Sequence, residues 1–132
     1  MGDRTSPLAG VRILVVDYDR DSLALLSYFF SDYGIATVTA ESVDAAIAIL
    51  HQQSVDGVIT EIALPGQDGY SLLAQLPVPV PAIALTSYVP GCDREQALTA
   101  GFSHFLSKPV DLDELLQVVR QLTGRDRLSP AE

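Results

Sequence analysis

The sequence predicts an α/β domain in which five parallel strands form one sheet covered by five helices. Three observations lead there. Short, nearly uninterrupted apolar runs, such as residues 11–16 (VRILVV), 57–62 (GVITEI) and 82–86 (AIALT), read as strands buried on both faces. Longer stretches between them carry apolar residues at helical spacing. Alternation of the two patterns requires right-handed crossovers that pack helices on both sides of a parallel sheet. With 132 residues, 48% of them apolar, the chain is sized for one domain with a substantial core.

The elements follow in order. Residues 11–16 are the first strand, closed by the polar cluster Asp17-Tyr18-Asp19-Arg20-Asp21. Leu23, Leu26, Phe29, Phe30 and Tyr33 mark a helix that Asp19 or Asp21 can cap and Gly34 can stop. Residues 35–39 form a short strand, and Ser42 caps a helix running through Ala45, Ile49 and Leu50. The strand 57–62 leads into a loop rich in turn formers, 63–69 (ALPGQDG). Residues 70–76 are a short helix, cut off by Pro77-Val78-Pro79-Val80-Pro81, a stiff, extended connection. After the strand 82–86 comes a helix over 93–100 closed by Gly101, then a last strand over 105–107 before Lys108-Pro109. The final helix opens on Asp111-x-x-Glu114 and carries Leu112, Leu115, Leu116, Val119 and Leu122. The expected organisation is a flexible segment over 1–10, the domain over 11–122 and a tail or linker over 123–132.

Composition narrows the function classes. Seventeen acidic residues against eight basic ones, a net charge of −9, disfavour a surface for nucleic acid or anionic membrane, whose phosphates would be repelled. A single cysteine, Cys92, excludes an internal disulfide; with no Cys/His ligand spacing it also excludes a structural zinc site. His51 and His104 read as surface residues. The first ten residues lack the apolar core of a secretory signal and no window nears eighteen apolar residues, so a cytoplasmic domain off the membrane is expected. Seven of the eight bases are arginine, and the one lysine is Lys108. Lysine is a compact point charge, unlike the forked guanidinium, so its place after the last strand invites a positional reading against the ordinary one of a solvated surface lysine.

In such folds ligands bind outside the carboxyl ends of the strands. Here those ends supply Asp17 and Asp19, Glu61, Thr86 and Lys108. Clustered carboxylates need a divalent cation or an ammonium to ionise together. Oxygen ligands on loops suit Mg²⁺, and a hydroxyl and a lysine beside them suit an anionic oxygen. By residue type the rim fits phosphoryl chemistry on a carboxylate.

At these residues the chain resembles the receiver domain of two-component response regulators, over residues 11–122. The matching stretches are VRILVVDYD, DGVITEIALPGQDGYSLL, AIALTSY and AGFSHFLSKPVDLDELL. The resemblance implies a flavodoxin-like fold with sheet order 2-1-3-4-5, and Mg²⁺-dependent transfer of a phosphoryl group from a kinase histidine to an aspartate. It places Glu61 at the phosphoacceptor position, four residues before Pro65. It also makes Thr86 the switch hydroxyl, Lys108 the phosphate contact, and Phe105 an aromatic that moves between inward and exposed rotamers. For Phe105 an ordinary core role stays open, as does a plain strand-end role for Thr86. The implied output face comprises residues 92–100, 102–106 and 111–122.

Two departures fall on the chemistry. Glu61 stands where the family has aspartate, carrying its carboxylate one methylene, about 1.5 Å, farther out. Errors near 1 Å in a phosphotransfer geometry cost on the order of a hundredfold. That carboxylate reaches toward the phosphoryl position near Thr86 and Lys108, as a partial mimic with less charge and fewer acceptors. Tyr18 replaces the second member of the family's acidic pair, and a neutral phenol is a poor Mg²⁺ ligand. Asp17 and Glu61 remain as a weakened metal pair, while Asp19, one residue late, either joins the acidic rim or caps the first helix.

The expected function is therefore an atypical receiver, not an enzyme, that acts by protein contact with a histidine kinase or with an attached effector or kinase domain. One alternative is a working Mg²⁺-dependent phosphoreceiver using Glu61 or another carboxylate such as Asp17. The other is a flavin-binding module, which the acidic turn DYDRDS disfavours because it lacks a Gly-rich phosphate cradle. Both polar ends read as linkers, for either a stand-alone receiver or one cut from a hybrid kinase. Ser103-His104 replace acids that one family branch uses for symmetric dimers, so the oligomeric state stays open.

Overall fold

The structure, a computed structural model, describes residues 8–87 and 94–124. The elements run β1 (Arg12–Val16), α1 (Arg20–Ser31), β2 (Ala36–Ala40), α2 (Val43–Gln52), β3 (Gly57–Thr60), α3 (Gly69–Ala74), β4 (Ala82–Thr86), α4 (Arg94–Ala100), β5 (His104–Ser107) and α5 (Leu112–Leu122). The five strands form one sheet in the order β2-β1-β3-β4-β5, and every pairing is parallel.

Strand alternation divides the core in two. Ile13, Val15, Ile59, Ile83 and Leu85 meet Leu23, Leu26 and Phe30 of α1 and Leu115, Leu116 and Val119 of α5. Leu14, Val16, Val58 and Ala84 point the other way, onto Val43, Ala46 and Leu50 of α2, Leu72 of α3 and Ala97 of α4. Burial on both faces is why β1, β3 and β4 read as apolar runs.

Local chemistry sets the helix ends. Asp19, not Asp21, caps α1, its carboxylate accepting from Asp21 N at 3.0 Å and Ser22 Oγ at 3.0 Å. Ser42 caps α2 through Ala45 N, and Asp111 caps α5 through Glu114 N. Gly34, at φ +77°, takes the left-handed turn that closes α1.

The structure corrects two boundaries and sets one helix face. The folded unit begins before residue 11: Leu8 is completely buried in the core, and Gly10 N donates to Gly34 O. The buried face of α2 is Val43, Ala46 and Leu50, with Ala45 exposed. β3 ends at Thr60, two residues early, for a reason that belongs to the site. Cys92 and Asp93 lie outside the described residues.

Candidate functional site

Three site residues are the first residues beyond strand ends, each tied to its neighbour by one backbone bond. Asp17 N donates to Ala40 O (3.0 Å), Glu61 N to Val16 O (2.9 Å) and Lys108 N to Thr86 O (2.9 Å). Parallel pairing in this strand order thus brings Asp17, Glu61, Thr86 and Lys108 to one rim. Asp17, Glu61 and Thr86 are all at most 4% exposed.

Glu61 organises the cluster. Its Oε2 accepts from the backbone N–H of Ile62 (2.9 Å) and of Ala63 (3.1 Å), and from the Thr86 hydroxyl. Its Oε1 lies 2.9 Å from Lys108 Nζ. Two peptide N–H groups, a hydroxyl and an ammonium form a cradle for one anion, and the glutamate carboxylate fills it. This also explains the early end of β3: the N–H groups of Ile62 and Ala63 turn to the side chain of Glu61 and leave the ladder.

The backbone here has no slack. A Cβ at Gly69 would stand 2.8 Å from Glu61 O and 3.0 Å from Ile62 Cα, and Gly69 N donates to Ile62 O at 2.8 Å. The Thr60 hydroxyl donates to Glu61 O at 2.9 Å. From the sequence, Asp68-Gly69 is turn chemistry first. Asp68 does cap α3, but Gly69 is needed because α3 starts against the Glu61 carbonyl.

Lys108 bridges the two acids, with Nζ also 2.7 Å from Asp17 Oδ2 and a side chain 21% exposed. Partial burial alone lowers its pKa, but the hydrogen bonds and charges of Asp17 and Glu61 outweigh that and leave it above the ordinary value. The remaining Asp17 oxygen, Oδ1, accepts from Asp19 N at 3.0 Å.

These contacts do not fit a divalent cation. Every oxygen of Asp17 and Glu61 already has a donor, and the Lys108 ammonium sits between the carboxylates where a cation would bridge them. Among the described residues no group of three potential ligands stands together. The expected metal pair of Asp17 and Glu61 is thus a lysine-bridged pair. Asp19 also leaves the rim: it is exposed, with its carboxylate engaged at the start of α1. Tyr18 is 54% exposed and adds no ligand. Phe105 is half-buried, packed on the α2–α4 side of the sheet.

The response regulator receiver domain model matches residues 13–120. This chain belongs to that family. The receiver fold carries the site just described, with the predicted order 2-1-3-4-5. A protein of Leptolyngbya boryana, known as an uncharacterized 14.6 kDa protein in the sodA1 3′ region, is 38% identical over 119 residues, covering 86% of this chain and 91% of that one. The transcriptional regulatory protein TcrA of Mycobacterium tuberculosis is 34% identical over 121 residues, 89% of this chain but 48% of its own length. Among solved structures, the receiver domain of the sensor histidine kinase PA1611 of Pseudomonas aeruginosa, with magnesium in its active-site cleft, is 27% identical with a TM-score of 0.77. It covers 88% of this chain and 99% of that one. The chain is thus a receiver domain of two-component signalling, a module found attached to effector or kinase domains. No helix among the described residues is long and apolar enough to cross a membrane.

Proposed function

We propose that this receiver signals by protein contact without accepting a phosphoryl group and without Mg²⁺, Glu61 serving as the permanent occupant of its anion cradle. One observation carries the reading. The side chain that would have to attack a phosphoryl donor is itself held by two N–H groups, the Thr86 hydroxyl and Lys108, the donors available to a transferred phosphoryl group. An acceptor so placed points its oxygens into the cradle and away from an in-line approach. Thr86 is correspondingly drawn to Glu61, and the α4–β5–α5 face takes one form. Exposed Leu25, which lines a cavity with Lys108, and exposed Tyr28 on α1 offer apolar contact surface. The partners are a histidine kinase, or an effector or kinase domain on the same chain, in the cytoplasm.

The test is incubation with acetyl phosphate, or with beryllofluoride, in Mg²⁺, followed by intact mass and amide NMR spectra. Wild type is expected to gain no phosphoryl mass and to keep its Thr86 and Lys108 amide shifts. An acyl phosphate mapped to Glu61 or Asp17 overturns the proposal and makes the chain a working phosphoreceiver.

A further inference from the structure

Both ends of the connection between β4 and α4 are anchored by side chains. At one end Thr86, the last residue of β4, is bound to Glu61. At the other, Arg94, the first residue of α4, sets its guanidinium carbon 5.8 Å from the centroid of the Phe105 ring. That lies within the reach of a cation–π contact. Phe105 pairs with Ala84 across the β4–β5 ladder, and its side chain packs against the core on the α2–α4 side of the sheet.

Arg94 differs from the bases around the site. Arg20 is paired with Glu41, and Lys108 with Asp17 and Glu61. Among the described residues Arg94 has no carboxylate within ion-pair distance. Arg94 is exposed. Phe105, in turn, is a half-buried phenyl on an edge strand, where turning out to solvent is the competing arrangement.

We propose that Arg94 is a positioning residue that latches Phe105 against the sheet, so that the α4–β5 face is closed from the α4 side as well as from the cradle. The proposal deepens the reading of Glu61 as permanent occupant, because it concerns the face that the occupied cradle sets.

The test uses the full chain with its phenylalanines isotopically labelled. There are four, so Phe105→Leu assigns the signal. In wild type the Arg94 δ-methylene protons are expected to be shifted upfield by the ring, and the ring to show nuclear Overhauser contacts to core methyl groups. Arg94→Ala is expected to raise the outward ring population roughly two- to five-fold, the range an exposed cation–π contact supports. Arg94→Lys should restore part of the inward population, which a loss of mere bulk would not. An unshifted Arg94 methylene in wild type, or a Phe105 ring unmoved by Arg94→Ala, overturns the latch. If only Thr86→Val frees the ring, the cradle alone holds it and the latch is again overturned. The phosphorylation assay is read separately, so failure of one proposal does not mimic failure of the other.

Discussion

At the scale of single residues, the site is an internal ion cluster with two acids, one base and a full set of donors. Removing Lys108 leaves two buried carboxylates without their cation, so Lys108→Met should destabilise the fold by about 3–5 kcal/mol. Thr86→Val removes one hydroxyl from a charged acceptor that keeps two N–H donors, and should cost about 1.5–3 kcal/mol. Urea unfolding at neutral pH measures both. The raised pKa of Lys108 also predicts a pH dependence. A folded-state pKa above the unfolded one means that the contribution of Lys108 is complete below the ordinary lysine value of about 10.4 and is lost as pH rises through the folded value. The stability gap between wild type and Lys108→Met should therefore stay constant from neutral pH to about 10 and shrink above it. A gap that closes near neutrality contradicts the ion-bridge reading.

At the scale of elements, the β3–α3 connection decides where the Glu61 carboxylate points. The strand stops two residues short of its apolar pattern because Ile62 and Ala63 give their N–H groups to Glu61. Gly69 permits this by bringing the start of α3 against the Glu61 carbonyl. Gly69→Ala forces a Cβ onto backbone atoms that cannot rotate away, and a loss of about 1–3 kcal/mol is expected. Its amide shift changes should concentrate at 61–63. Changes confined to α3 would show that the loop absorbs the methyl group elsewhere. After α3, residues 77–81 connect to β4 without helix or strand, and with Leu73 and Leu76 they line an open groove of about 530 Å³.

At the scale of the whole molecule, two apolar layers sandwich a sheet whose centre is β3. The amides of β1, β3 and β4 have strands on both sides, whereas β2 and β5 are edges. Hydrogen exchange should find the slowest amides in β1, β3 and β4, exchanging only through global unfolding, with those of β2 and β5 faster. Equal protection of β2 and β1 would mean that another chain covers the β2 edge. The same architecture takes in Leu8, outside the segment that the sequence marks as the domain. A lone leucine between Pro7 and Ala9 carries no periodicity, and only its place in the core layer shared with α1 and α5 identifies it as core.

The sequence by itself determined the alternation of strands and helices, the caps at Ser42 and Asp111 and the acidic pair Asp19/Asp21 from which the α1 cap is drawn, and the placing of Asp17, Glu61, Thr86 and Lys108 at strand ends. These are local properties: a period of two or 3.6 residues, a short polar side chain before a helix, a polar residue after an apolar run. It also showed that Glu61 and Tyr18 are unusual for a receiver. Only the tertiary structure decided what those residues do together. The Glu61 carboxylate folds back on its own backbone, Asp19 turns to the helix and not to the rim, and Lys108 bridges two acids in the place of a metal. Such choices depend on donors brought from 25 residues away for Thr86 to Glu61 and 91 for Lys108 to Asp17. A rotamer takes the direction in which its charge is best compensated, and that is set by neighbours the chain acquires only once the sheet has closed.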